Sequence, residues 1–76
     1  MEDIIYSLKL YTENGIKPGG FLTAVLENNL MESFGRADHI NRNRIGIICN
    51  YIYNDLPSSC HGSAEIVNAW KGNKPN

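Results

Sequence analysis

The residues of this chain best suited to chemistry lie between Phe34 and Arg44, in the stretch FGRADHINRNR. All three arginines, Arg36, Arg42 and Arg44, fall inside it, in a chain whose formal net charge is only -1. Guanidinium forks match the geometry of phosphate and carboxylate oxygens. With Arg36 in an interhelical turn and Arg42 and Arg44 on the first two turns of the next helix, free backbone amides add donors to an anion site. Asn41 and Asn43 offer side-chain amides to a base or sugar edge. The competing reading is a solvated face. Asp38 and Arg42 are four apart in the favourable acid-before-base order and can pair on the helix surface, while Asp38 holds the capping position an anion would want.

The same residues fit a helix-turn-helix plan, since arginine and asparagine read guanine and adenine edges. Against it, Lys9, Lys17, Lys71 and Lys74 are scattered, and seven basic residues are offset by eight acids. Phosphate docking needs clustered positive charge, and the apolar run from Ile45 onward suits a packed helix better than one exposed in a groove. Nucleic acid is therefore the less favoured partner. Tyr51, Tyr53, Asn54 and Trp70 form a further group. The tyrosine pair Tyr51 and Tyr53, with Asn54 at the end of the third helix, could stack on and hydrogen-bond a planar ligand, although such groups more often build a core or an interface.

Metal and covalent chemistry have little support. His39, Cys49, Cys60 and His61 give the right number of ligands for zinc, but not its close-paired spacing. Cys49 reads as a small core hydrophobe. Cys60 and His61 are neighbours, and adjacent side chains rarely face each other, so they read as a loop thiol and a loop imidazole. Pro18-Gly19-Gly20 opens a helix without the preceding strand and following lysine of a phosphate loop. The expectation is a non-enzyme, with no metal and no cofactor.

Seventy-six residues bound the rest. A chain this short buries only about 60% of the surface its unfolded form exposes, so a second copy is a common source of stability. A hydrophobic fraction of 42% and a charged fraction of 20% fit a globular domain. MEDIIYSLKL lacks the basic start and cleavage site of a secretory signal. No apolar run reaches membrane-spanning length, and two cysteines make no disulfide framework. The expected setting is the reducing cytoplasm.

The elements that must position these residues are all helical. Ile4, Ile5, Leu8 and Tyr11 recur at helical spacing over 2–13, with Glu2 and Asp3 favourably placed at the start and Gly15 at the end. A second helix is expected over 20–33, burying Phe21, Leu22, Val25, Leu26, Asn29 and Leu30 and stopping at Gly35. A third, capped by Asp38, runs over 38–54 with Ile45, Ile48, Cys49, Ile52 and Leu56 inside. Ile47, Tyr51 and Tyr53 extend its apolar surface beyond one packing face, which points to an oligomer interface. Pro57 ends it, and Ser63 caps a fourth helix over 64–71 with Ile66, Val67 and Trp70 inside. Lys74-Pro75-Asn76 should fray. The expectation is one all-α domain spanning 1–76, a compact bundle of about four short helices that is homo-oligomeric.

Several segments together resemble a group of small phage and prophage proteins of unassigned function. They are Pro18 to Leu22 (PGGFL), Leu26 to Asn28 (LEN), Gly35 to Asp38 (GRAD), Asn41-Arg42, Tyr53-Asn54 before Pro57, and Gly62-Ser63 through Trp70. The likeness covers about residues 15 to 71 and leaves out the first helix. Asn29 stands where the pattern has an acid and takes no role. The resemblance implies a viral or prophage origin and, by analogy of origin alone, an accessory or counter-defence factor that binds a host protein or traps a host signalling nucleotide.

The functional expectation is a binding protein that holds a phosphate-bearing, nucleotide-like molecule within an oligomer. Arg36, Asp38, Asn41, Arg42 and Arg44, with Asn28, Tyr53 and Asn54, are the candidate ligand-binding residues. The alternatives are an inhibitor or adaptor acting on a host protein, and a helix-turn-helix regulator.

Overall fold

In the computed structural model, which describes residues 1–74, five α-helices follow one another. They are α1 (Glu2–Asn14), α2 (Gly20–Leu26), α3 (Leu30–Arg36), α4 (His39–Asp55) and α5 (Ala64–Ala69), with a 3₁₀ turn at Ser58–Cys60 between the last two. No strand occurs among the described residues, and the Cα radius of gyration is 11.4 Å, as expected for a compact chain of this length (about 11 Å). The expected all-α class is therefore what the chain adopts.

The single helix expected over 20–33 is instead two. Asn28 takes a left-handed backbone conformation, φ 62°, which asparagine tolerates better than most residues. Around it, Asn29 N–H donates to the Ala24 carbonyl at 2.9 Å and Asn28 N–H to the Val25 carbonyl at 3.0 Å. This is the paired closure that finishes a helix at a left-handed residue. Asn29 then starts the next helix, its side chain accepting from Glu32 N–H at 3.3 Å. Apolar periodicity runs straight through this break, which is why it hid the pair of asparagines.

The break turns α3 over. Its buried residue is Ser33, whose hydroxyl donates to the Asn29 carbonyl at 2.7 Å. Leu30, expected inside, is exposed, as are Met31 and Phe34. Gly35 does not stop the helix; it lies within α3, which ends at Arg36 where Ala37 becomes extended.

The core gathers Ile4, Leu8 and Tyr11 from α1, Leu22 and Leu26 from α2, Ile48 and Ile52 from α4, Cys60, and Val67 from α5. The two thiols exchange their expected places: Cys49 is exposed and Cys60 is buried. Cys49 sits one position beyond Ile48, so the stripe of α4 that passes through Ile45, Ile48 and Ile52 leaves it at the edge. Tyr51 and Leu56 pack partly against the core, whereas Ile47 and Tyr53 face solvent.

The end of α1 is closed by the chain's last described residues. Trp70 Nε1 donates to the Tyr11 carbonyl at 2.9 Å, Asn73 N–H to Thr12 at 2.9 Å and Lys74 N–H to Glu13 at 3.0 Å. The Thr12 and Glu13 carbonyls, which the helix end leaves without partners, are thus met by Asn73 and Lys74. Gly15 (φ 73°) and Gly72 (φ 97°) make this possible, since a Cβ on Gly72 would lie 2.6 Å from the Glu13 carbonyl oxygen. Lys74, expected to fray, is held, with its ammonium 3.1 Å from the Glu13 carboxylate. Pro75 and Asn76 lie outside the described residues.

Candidate functional site

The start of α4 positions most of the candidate residues. Asp38 caps it, Oδ1 accepting from Asn41 N–H at 2.7 Å. The side chain of Asn41 accepts from Arg44 Nη2 at 2.7 Å, and the same nitrogen lies 3.5 Å from Asp3 Oδ2. Arg44 is accordingly 21% exposed, and its Nε is occluded without a hydrogen-bond partner. A short chain of contacts therefore runs from α1 across Arg44 and Asn41, beside the cap of α4.

That chain helps to lower the pKa of one member. Burial alone would raise the Asp3 pKa, but the Ile4 amide, Arg44 and the terminal ammonium outweigh it and hold the carboxyl below its ordinary value.

The other two arginines differ. Arg36 closes α3 and donates from Nε to Glu32 at 2.7 Å, a one-turn pair with both side chains more than half exposed. It lies across the start of α2, where a Cβ on Gly20 would come within 2.8 Å of its Nη1. The polar notch there also takes in Thr23, Glu27 and Asn29. Arg42 is exposed and has neither a carboxylate nor a side-chain hydrogen-bond partner among the described residues. The surface pair with Asp38 does not form, because Asp38 is engaged as the cap.

The two asparagines that would read base edges are turned to their own helix. Asn41 holds Arg44, and Asn43 Nδ2 donates to the His39 carbonyl at 3.2 Å. Asn54 is likewise committed, its Nδ2 donating to both the carbonyl and the side-chain oxygen of Asn50 at 2.9 Å.

Asn28 and Tyr53 come together elsewhere, on a groove of about 450 Å³. Val25, Leu26 and Ile52 supply its apolar wall, and Cys49, Ser58 and His61 complete it. Gly62 N–H donates to the Leu26 carbonyl at 2.7 Å and ties the 58–62 loop to the end of α2. His61 Nε2 is occluded and unpartnered, a condition that typically costs about 1–3 kcal/mol. Sequence reasoning passed over Cys49, Ser58 and His61 as site residues. The Gly62 bond ties the loop that carries Ser58 and His61 to α2, between residues far apart in the chain, and no local pattern announces it.

Burial pushes the thiols of both Cys49 and Cys60 up from the ordinary value, the wrong direction for a reactive thiolate at neutral pH. Among the described residues no three His, Cys, Asp or Glu side chains converge as a metal site would need, and no helix is long and apolar enough to cross a membrane. No protein family, curated protein or solved structure matches this chain.

Proposed function

We propose that this chain is a small binding protein of phage type that captures a phosphate-bearing, nucleotide-like molecule at the start of α4. The observation that carries the reading is Arg42, an uncommitted guanidinium on the first turns of a 17-residue helix. The helix dipole disfavours a cation there, by about 0.3–1 kcal/mol at an exposed position. Stability alone therefore gives no reason for an unpaired arginine at that point, whereas an anionic ligand would. Arg44, fixed by Asn41 and Asp3, supplies a second positive charge of defined position, and in this reading Arg36, paired with Glu32 beside the start of α2, would have to leave that pair to take part.

In this reading a second copy of the chain completes the site. Leu30, Met31, Phe34, Ile40 and Ile47 are exposed on α3 and α4, flanking the arginines in sequence. Apolar side chains exposed in such numbers on a small domain are characteristic of a buried subunit contact. The resemblance to phage proteins supports a role in counter-defence in a host cytoplasm, by removal of a host signal.

The test is thermal melting against a panel of nucleotides, linear and cyclic. A ligand specific for the folded state at a hundredfold excess over its Kd raises the melting temperature by about 10 °C or more in a domain of this size. Arg42→Ala abolishes that rise without lowering the melting temperature of the free protein. A panel without effect rejects the reading.

A second reading rests on the exposure of Ile47 and Tyr53, which is 80% for the tyrosine. Together they offer a partner protein an aromatic and an aliphatic anchor. Retention of one host protein by the wild type, and its loss in Tyr53→Ala, would favour this inhibitor or adaptor role.

A further inference from the structure

We propose that the groove between α2, α4 and the 58–62 loop is a binding site in its own right, for a flat, uncharged heteroaromatic group. Its volume of about 450 Å³ falls within the range of small-molecule sites, about 300–1,000 Å³.

The lining selects the chemistry. No Asp, Glu, Lys or Arg contributes to it, so an ion entering it would lose water without gaining a counter-charge. The neighbouring depressions are different. The notch beneath Arg36 carries Glu27 and Glu32, and the hollow beside α1 is bordered by Lys9, Glu13, Asp55 and Lys74. In the groove, Val25, Leu26 and Ile52 offer apolar contact, and the exposed ring of Tyr53 offers a face for stacking. Asn28 and Ser58 place an amide and a hydroxyl on the same lining, enough to fix the edge of a ring that carries one or two polar atoms.

One further observation favours an occupant. Hydrogen bonds fix the lining segments: Asn28 and Asn29 lock the end of α2, and Gly62 fastens the 58–62 loop to Leu26. His61 belongs to the same lining, with its Nε2 occluded and unpartnered. A preformed, largely apolar hollow with a few convergent polar groups is the usual form of such a site. It is distinct from the arginine face, since Arg42 precedes Cys49 by two turns, about 10 Å along α4.

Indole is a suitable probe, being planar and neutral with a single donor. Titrated into the full-length protein and followed by amide NMR, it should give saturable shifts at Asn28, Cys49, Tyr53, Ser58 and Gly62 with a Kd of about 1 mM, as expected of a fragment. Cys49→Trp, at an exposed position, fills the groove and should weaken binding about tenfold or more, equivalent to about 1.4 kcal/mol. If Cys49→Trp does not fold, Tyr53→Ala serves instead and should also weaken binding. Binding should persist in Arg42→Ala and in inorganic phosphate, so this site and the anion site stand or fall separately. Shifts that fail to saturate, that spread over the whole chain, or that survive unchanged in folded Cys49→Trp would overturn the proposal.

Discussion

Tyr11 Oη donates to the carbonyl of Cys60 at 2.7 Å, inside the core and across 49 positions of sequence. Tyr11 also receives Trp70 Nε1 on its own carbonyl, and the two rings lie 6.5 Å apart. One residue of α1 thus holds both the 3₁₀ turn and the end of α5.

Tyr11→Phe removes the donor and leaves a buried carbonyl unmet, so it should cost about 1–3 kcal/mol. For a domain this small, each kcal/mol lowers the melting temperature by about 4–8 °C. Burial, with Cys60 and Glu27 adding to it, pushes the Tyr11 pKa from 10.0 up to about 12. The folded state therefore favours the neutral phenol. That contribution is complete below pH 10 and disappears as the pH rises toward about 12. Denaturant titrations of wild type and Tyr11→Phe should converge over that interval and run parallel below it.

Glycine substitutions should move stability in opposite directions at two positions. Gly72→Ala forces a Cβ against the Glu13 carbonyl at a left-handed backbone position, and should cost more than about 1 kcal/mol by releasing residues 70–74 from α1. Gly46 lies inside α4 with nothing within 4 Å of an added Cβ, so Gly46→Ala should stabilise by about 0.5–1 kcal/mol. Chemical denaturation distinguishes the two, and equal effects would contradict the packing described.

The arginines should separate by function. Arg44→Ala loses contacts to Asn41 and Asp3 and should cost up to about 1 kcal/mol, the scale of a partly exposed pair. Arg42→Ala should change stability by less than about 0.5 kcal/mol. The Asp3 carboxyl is held below 3.8, so its contribution is present above that pH and is lost on further acidification. The wild-type advantage over Arg44→Ala should shrink there.

The exposed apolar residues of α3 and the start of α4 predict the state of assembly. Light scattering of the wild type at micromolar concentration should give a mass above that of one chain, 8.5 kDa. Met31→Glu combined with Ile40→Glu should return a monomer that retains its helical circular dichroism, since neither side chain belongs to the core. A wild type that remains a monomer at all concentrations would remove the oligomeric part of the functional reading.

Much of the helical plan was readable because periodicity and caps agree. Asp38 and Ser63 cap the helices they were expected to cap, at 2.7 Å and 3.2 Å, and the stripe of Ile45, Ile48 and Ile52 is buried as spaced. The break at Asn28 leaves no mark in the sequence, because an asparagine at the left-handed position does the work usually marked by glycine. The burial of Cys60 is equally silent, because its surroundings come from α1 and not from the loop that carries it. Of the candidate site, the role of Asp38 as a cap was readable from spacing. The separation of Asn28 and Tyr53 from the arginines follows from that unforeseen break and from the bond between Gly62 and Leu26, which joins segments too distant for a local pattern to connect.

The exchange of places between the cysteines equips the chain with an internal clock for its own opening. An alkylating reagent should modify Cys49 in the native protein, while Cys60 stays sealed under Tyr11 until the core separates. Mass spectrometry of a Cys49→Ser variant would then time unfolding directly from the arrival of a single adduct, with no dye or engineered label.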